Sequence, residues 1–212
     1  MRRILTACLL VGSLCAAALA AEPKKLPPPR TEGGKPLMQA LNERKSSRDF
    51  SPAPLSDQML GNLLWAADGV NREDGRRTAP SARNWQEIDI YVVTAGGSFR
   101  YDAGEHSLAP VVDGDLRPKT GTQPFVSVAP VNLVYVADLS RMGKGGNPAD
   151  LETYAAADAG FIAQNVYLYC ASENLACVVR GLIDKPALSQ ALKLRPDQKV
   201  ILAHTVGHPA EK

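Results

Sequence analysis

Two segments, Arg44-Lys45-Ser46-Ser47-Arg48 and Pro80-Ser81-Ala82-Arg83-Asn84-Trp85-Gln86, carry most of the information in this chain. In an extended chain, residues at i, i+2 and i+4 point to the same side. Arg44, Ser46 and Arg48 are therefore expected to present two guanidinium groups and a hydroxyl on one face. Such a donor set can chelate a dianionic phosphate. The second segment is a turn of small residues, whose exposed backbone amides can approach a flat ligand.

The bulk composition is that of an ordinary globular protein. The chain has 212 residues, of which 45% are hydrophobic and 22% are charged, and this suggests one domain of moderate size. The formal net charge is +2 and the basic residues form no long tract, so we expect no nucleic-acid partner. The G-x-G-x-x-G pattern of a nicotinamide-binding Rossmann domain is absent.

The N-terminus predicts export from the cytoplasm. Arg2-Arg3 precedes an uncharged apolar stretch, Ile4–Ala20, which ends in the A-x-A site Ala18-Leu19-Ala20. This pattern is typical of a signal peptide, residues 1–20, cleaved after Ala20. We therefore expect a periplasmic or secreted protein with no membrane span after cleavage. Adjacent arginines also fit twin-arginine export, and that route and the general secretory route both remain open.

Signal cleavage would leave two cysteines, Cys170 and Cys177. If both lay on one helix, a separation of seven residues would correspond to a rise of about 10 Å, which is beyond disulfide reach. A turn at Glu173-Asn174 could bring them closer together. The prediction is two buried free thiols.

Hydrophobic periodicity predicts helices at both ends of the chain with strands between them. The predicted helices begin near Leu37 and at Ser56, Pro148 and Asp184, and the last two end at about Ser172 and Leu194. The predicted strands are Ile88–Val92, Val131–Val136, Ala176–Val179 and Val200–His204, with a hairpin from Phe99 to Leu108. This order predicts an α+β domain over residues 35–212, with a central mixed or antiparallel sheet flanked by helices.

Individual residues refine these elements. Ser56 is the expected N-cap of the second helix and Gly69 its C′ residue, while Gly160 is expected to be a point of close packing in the long helix. Ala21–Gly34 is rich in Pro, Lys and Gly, and it is predicted to be an extended arm that contributes nothing to the core. The first helix is expected to be amphipathic through Leu37, Met38 and Leu41.

In this order, the motifs resemble those of the nitroreductase family. The matching positions are Arg44, Ser46 and Arg48, then Pro80, Ser81, Asn84 and Gln86, then Gln164-Asn165, Gly181 and Gly207-His208-Pro209. Arg77–Ser81 and Leu64–Val70 look closest to the branch of azoline-oxidising dehydrogenases. Two positions depart from the common pattern: Glu87-Ile88 stands where many members have Pro-Trp, and Arg180-Gly181 where many have Glu-Gly.

The resemblance implies an FMN cofactor and a role for each matching residue. Arg44, Ser46 and Lys212 would hold the phosphate, and Arg48 would reach the pyrimidine edge of the flavin. Asn84 would hydrogen-bond the isoalloxazine, and the amide of Gly181 would point at N5. The backbone of Pro80, Ser81 and Ala82 would lie against the cofactor from the partner subunit.

The same resemblance implies an exported FMN-dependent oxidoreductase that acts as a homodimer. Hydride would pass through flavin N5 by a ping-pong mechanism between a small-molecule electron donor and an acceptor. In the periplasm the donor could be a quinone pool, another redox protein or the substrate itself. The alternatives are a non-catalytic flavin or small-ligand binding module on the same fold, and a purely structural envelope protein. The sequence identifies no catalytic side chain and predicts no metal site, because His204 and His208 lack further ligands.

Overall fold

The fold is an antiparallel sheet with helices on both faces. A computed structural model describes residues 22–143 and 147–211. The predicted signal peptide and the candidate phosphate ligand Lys212 lie outside these ranges. Among the residues within them, no helix combines the length and the apolar character needed to cross a bilayer.

The sheet has seven strands. They are β1 (Lys24–Lys25), β2 (Ile88–Thr94), β3 (Gly97–Asp102), β4 (Ser107–Asp113), β5 (Val131–Asp138), β6 (Ala176–Arg180) and β7 (Gln198–Gly207). Their order is β1-β4-β3-β2-β5-β7-β6, and every pair of neighbours is antiparallel. The helices are α1 (Leu37–Glu43), α2 (Asp57–Asp68), α3 (Pro148–Ser172) and α4 (Lys185–Ala191). The predicted α+β class is confirmed, and the sheet is antiparallel rather than mixed.

The core lies on both faces of the central strands. All eight residues of β5 are buried, as expected for a strand between β2 and β7. In β2, Ile90 and Val92 pack on the side of α2 and α3, whereas Tyr91 and Val93 pack on the side of α4. The sequence alternation of β2 therefore separates two cores rather than a core from solvent.

The local signals of α2 are only partly confirmed. Ser56 is its N-cap, because the side-chain oxygen accepts the amide of Met59 at 3.2 Å. Gly69 ends the helix, but as its C-cap in an extended conformation with φ −76° rather than as the predicted C′ residue. Glycine is required there for space, since a Cβ would collide with Trp65.

Three other expectations are wrong. Gly160 is exposed with nothing within 4 Å of its missing Cβ, so it is not a packing point within this chain. α4 ends at Ala191, three residues earlier than predicted. The arm reaches the core: β1 pairs with β4, and Leu26 is buried in the core cluster. The amide of Leu26 donates to the carbonyl of His106 at 3.0 Å.

The two cysteines are buried and unpaired, as predicted. Cys170 lies on α3 and Cys177 on β6, and Asn174 provides the turn between them with a left-handed φ of 57°. Burial raises the pKa of the Cys170 thiol well above its ordinary value. A neutral, buried thiol of this kind is not a nucleophile.

Candidate functional site

Arg44 and Ser46 converge on one side chain of α3. Ser46 Oγ lies 2.8 Å from the hydroxyl of Tyr167, and the Arg44 guanidinium lies 5.2 Å from the centroid of the same ring. These two residues therefore share a face, as the extended spacing predicts. The segment is fixed along the outer strand β6 because the amide of Ser47 donates to the carbonyl of Cys177 at 2.9 Å.

The basic groups of this segment remain available to a ligand. Arg48 is exposed and Arg44 half-buried, and neither forms an ion pair with a residue of the described chain. Lys45, Ser47 and Asp49 line a separate cavity of about 660 Å³. The side chains of Arg44 and Ser46 thus contact Tyr167, whereas those of the odd-numbered residues line the cavity.

Tyr167 is a functional candidate that the sequence did not reveal. Besides contacting Ser46, its hydroxyl accepts the amide of Val179 on β6 at 2.9 Å. Its ring packs on His204 with a centroid distance of 4.7 Å. Tyr167 lies among the buried, mostly apolar residues of α3, so in the sequence only the neighbouring Gln164-Asn165 motif indicated a site.

His204 is a structural residue rather than a metal ligand. It is fully buried, and its Nδ1 lies 3.1 Å from the hydroxyl of Tyr135. Burial lowers the pKa of His204 to about 3, which keeps the imidazole neutral at physiological pH. Across residues 22–143 and 147–211, no cluster of His, Cys, Asp and Glu side chains could hold a metal ion.

The Pro80–Gln86 turn is an unusual stretch of backbone. Three of its residues are non-glycine residues in the left-handed region: Arg83 (φ 51°), Asn84 (φ 55°) and Gln86 (φ 49°). Such conformations cost energy and persist only where surrounding contacts impose them. The amide of Ala82 donates to Asp158 Oδ2 at 2.8 Å, and the amide of Gln86 donates to Ser81 Oγ at 2.8 Å.

The exposed side chains of this turn are free to meet a ligand. Pro80 and Asn84 are exposed, while Ser81 and Ala82 are half-buried. The side-chain oxygen of Asn84 accepts a hydrogen bond from Nε2 of the Gln86 side chain at 3.1 Å, which leaves the Asn84 amide group to donate elsewhere. Beneath the turn, Ser81 Oγ donates to Glu87 Oε2 at 3.3 Å.

Within one chain, the two candidate segments lie apart. Arg44 and Ser46 contact Tyr167, whereas the Pro80–Gln86 turn is anchored at Asp158 of the same helix. Nine residues separate these anchors, which is about 13 Å along the axis and about two and a half turns. Asp158 and Tyr167 therefore point to opposite sides of α3. The two segments of one chain are too far apart to contact the same ligand.

Arg180 precedes the exposed Gly181 and carries a buried charge. Its Nε donates to Thr205 Oγ1 at 2.9 Å, and its Nη2 donates to Asn132 Oδ1 at 2.7 Å and to Thr120 Oγ1 at 3.0 Å. All of these partners are neutral, and burial lowers the pKa of Arg180 to about 10. The guanidinium ties β6 to the end of the Arg117–Thr120 turn and does not face Gly181.

The chain resembles known proteins over most of its length. The sequence profile described as the nitroreductase family matches residues 41–208. A protein of Methanocaldococcus jannaschii named as a candidate nitroreductase is 28% identical over 185 residues, which is 82% of this chain and 92% of that protein.

Solved structures match the fold as well. The crystal structure of a candidate nitroreductase from Ralstonia eutropha is 43% identical with a TM-score of 0.86, covering 93% of this chain and 94% of that one. A structure from Desulfovibrio desulfuricans, in complex with FMN, is 24% identical with a TM-score of 0.61 and covers 84% of this chain and 89% of that one. At that identity the second structure supports the fold alone.

Proposed function

The chain belongs to the nitroreductase family, and from that premise we propose that it is an exported FMN-dependent oxidoreductase acting as a homodimer. The observation that carries the proposal is that Arg44 and Ser46 meet at Tyr167, while neither Arg44 nor the exposed Arg48 forms an ion pair within the described chain. Unpaired cations on a fixed segment are what a phosphate monoester needs for charge-assisted hydrogen bonds.

The residues present fit FMN at several points. Arg44 and Ser46 would hold the phosphate, and Arg48 would lie by the pyrimidine edge, where a cation raises the flavin potential. Gly181 is exposed and a Cβ on it would meet only Leu202 at 3.8 Å, so its backbone is open to a flat ligand. Bound FMN supplies hydride transfer at N5, and we propose a ping-pong cycle in which the donor leaves before the acceptor binds.

A second copy of the chain completes this site in our proposal. The Pro80–Gln86 turn and the Arg44–Arg48 segment lie on opposite sides of α3, so each would meet the other segment of a partner. α3 also carries an exposed face suited to such a partner, which includes Ala157, Gly160, Phe161 and Gln164. Phe161 is 48% exposed, and the neighbouring α1 exposes Leu37 and Met38 by 63% and 75%.

The compartment and the substrates are proposals from the sequence. We propose export after cleavage at Ala20, with a small-molecule donor and acceptor. The donor is a quinone, a redox protein or the substrate itself. The likeness of Arg77–Ser81 to azoline-oxidising dehydrogenases suggests the oxidation of a small heterocycle as the first activity to assay.

Arg180 favours one alternative, a flavin or small-ligand binding module without catalysis. Its guanidinium stands where many family members have a glutamate, and it is committed to neutral partners inside the protein. A fold does not fix an activity, so loss of turnover with retention of binding is the rival proposal.

Purification of the full chain from its native compartment tests these proposals. We expect a yellow protein that releases FMN, identified by mass, at one per chain. Reduction followed by reoxidation with an acceptor would distinguish the oxidoreductase from the binding module. A colourless protein that takes up no FMN would contradict both the oxidoreductase and a flavin-binding module.

A further inference from the structure

Two carboxyl groups lie directly beneath the Pro80–Gln86 turn. Glu87 is 0% exposed and Asp158 is 3% exposed. Asp158 accepts the amide of Ala82 at 2.8 Å, and Glu87 accepts the hydroxyl of Ser81 at 3.3 Å. Each carboxyl group therefore holds one residue of the turn.

The two carboxyl groups are also neighbours of one another. They bind adjacent residues of the turn, Ser81 and Ala82, and Asp158 lies close enough to raise the pKa of Glu87. Glu87 Oε1 has no donor among the residues that the structure describes. A buried oxygen without a partner is costly, and two adjacent buried carboxylates cannot both be ionised cheaply. A single proton between the two groups would give the unpartnered oxygen a hydrogen bond and would remove one of the two negative charges.

The surrounding charges do not neutralise this pair. Within the described chain, no ion pair includes Glu87 or Asp158. The nearby charged groups already pair with one another: Asp68 of α2 with Arg77, and Asp89 of β2 with Arg141. The remaining charge beside the turn, Arg83, lies over the ring of Trp85 at 5.4 Å.

We propose that Glu87 and Asp158 share one proton, and that this protonated pair is the positioning element that holds the Pro80–Gln86 turn in its left-handed conformation. The inference rests on the proposed function in one respect: the turn faces the cofactor of the partner subunit. The pair itself touches no ligand and acts through Ser81 and Ala82.

A definite pH dependence follows. Burial raises the pKa of Glu87 to about 7, above its ordinary value of 4.5. The stabilisation from the shared proton is therefore fully present below about pH 4.5 and is lost as the pH rises through about 7. Above that value Glu87 is ionised beside the Asp158 carboxyl group, the hydrogen bond between them is lost and the turn loosens.

Trp85 reports the turn without any cofactor. Its ring packs edge-on against Tyr154 with a centroid distance of 5.8 Å. With Trp65→Phe as background, which leaves Trp85 as the one tryptophan of the chain, we expect the fluorescence of the full-length apoprotein to change sigmoidally near pH 7.

Glu87→Gln should flatten the curve, because its amide donates to Asp158 at every pH. Glu152→Gln, an exposed change elsewhere on α3, should keep the original curve.

FMN titration provides the second measurement. Between pH 7 and pH 9 the dissociation constant of the wild-type protein should rise by up to about fiftyfold, because one coupled proton with a pKa of about 7 weakens binding tenfold for each pH unit well above that value. In Glu87→Gln it should change by less than about twofold. Asp158→Asn is the second variant should Glu87→Gln fail to fold, because its amide can donate to Glu87 while its oxygen still accepts from Ala82.

The outcomes separate the two proposals. A Glu87→Gln curve identical to the wild-type curve, in fluorescence and in titration, overturns the shared-proton pair. If the fluorescence transition is present but FMN does not bind at any pH, the pair stands and the cofactor assignment fails. If FMN binds and neither signal depends on pH, the cofactor assignment stands and the pair fails.

Discussion

Tyr167 connects most of the groups of the candidate phosphate site. Its hydroxyl lies within hydrogen-bonding distance of Ser46 Oγ and accepts the amide of Val179, and its ring lies beneath the Arg44 guanidinium. A cation over an aromatic face is stabilised by the ring quadrupole while its N–H groups stay available. Tyr167 therefore orients Arg44 without consuming the donors that a phosphate needs.

Arg44→Ala should weaken FMN binding by about ten- to a hundredfold, because charge-assisted hydrogen bonds are worth about 1.5–3 kcal/mol. Riboflavin has no phosphate, so its affinity should hardly change. Calorimetric titration of both ligands checks this prediction, with Arg100→Ala as a matched control on an exposed arginine of β3. Equal weakening of riboflavin would assign Arg44 to the scaffold instead.

At the residue scale, the sequence predicts the candidate hydrogen-bond donors to a ligand better than the buried residues that hold those donors in place. Alternation in an extended segment was enough to place Arg44 and Ser46 on one face, as the structure confirms. Tyr167 and Asp158 could not be singled out, because each lies in a helix where burial and function give the same periodic pattern. Glu87 was noticed as a departure from the family, but its burial depends on how α3 packs beneath the turn.

At the element scale, α2 depends on its N-terminal cap. Ser56→Ala removes the side-chain acceptor for the amide of Met59 and should lower the free energy of unfolding by about 0.5–2 kcal/mol. Urea denaturation followed by circular dichroism measures this loss. Ser189→Ala in α4 is the control, since Ser189 caps no helix. An unchanged midpoint for Ser56→Ala would mean that water replaces the cap.

The strongly periodic elements were predictable and the irregular ones were not. The bounds of α3 and the presence of β5 were confirmed, because a continuous apolar pattern specifies both. The arm was misjudged at Leu26, since a single apolar residue among prolines and lysines gives no period. The prediction of close packing at Gly160 was not met within one chain. A glycine in a helix indicates that another backbone can approach, but it does not indicate whether that backbone belongs to the same chain.

At the scale of the whole molecule, we expect the proposed dimer to form through the exposed face of α3. Phe161→Glu should break the proposed dimer and with it FMN binding, because a charge would be buried where the partner packs. Light scattering should then report one chain mass instead of two. Val128→Glu is the control, since Val128 is exposed to a similar degree but lies outside α3. A Phe161→Glu dimer that retains FMN would exclude this face as the interface.

The mature N-terminus is a second property of the whole chain. N-terminal sequencing of the envelope fraction should give Ala21 as the first residue, because the A-x-A site ends at Ala20. A soluble cytoplasmic form that keeps Met1 would contradict export. This experiment is independent of the cofactor, so it tests the compartment alone.

The outer strands of the sheet are shielded by short flanking pieces of chain. Lys24–Lys25 covers β4, and the Arg44–Arg48 segment lies along β6 through the bond from Ser47 to Cys177. Uncovered strand edges recruit other chains and lead to aggregation. The proposed phosphate-binding segment therefore also protects this edge from self-association, and preparations depleted of flavin should lose solubility on storage before they lose secondary structure.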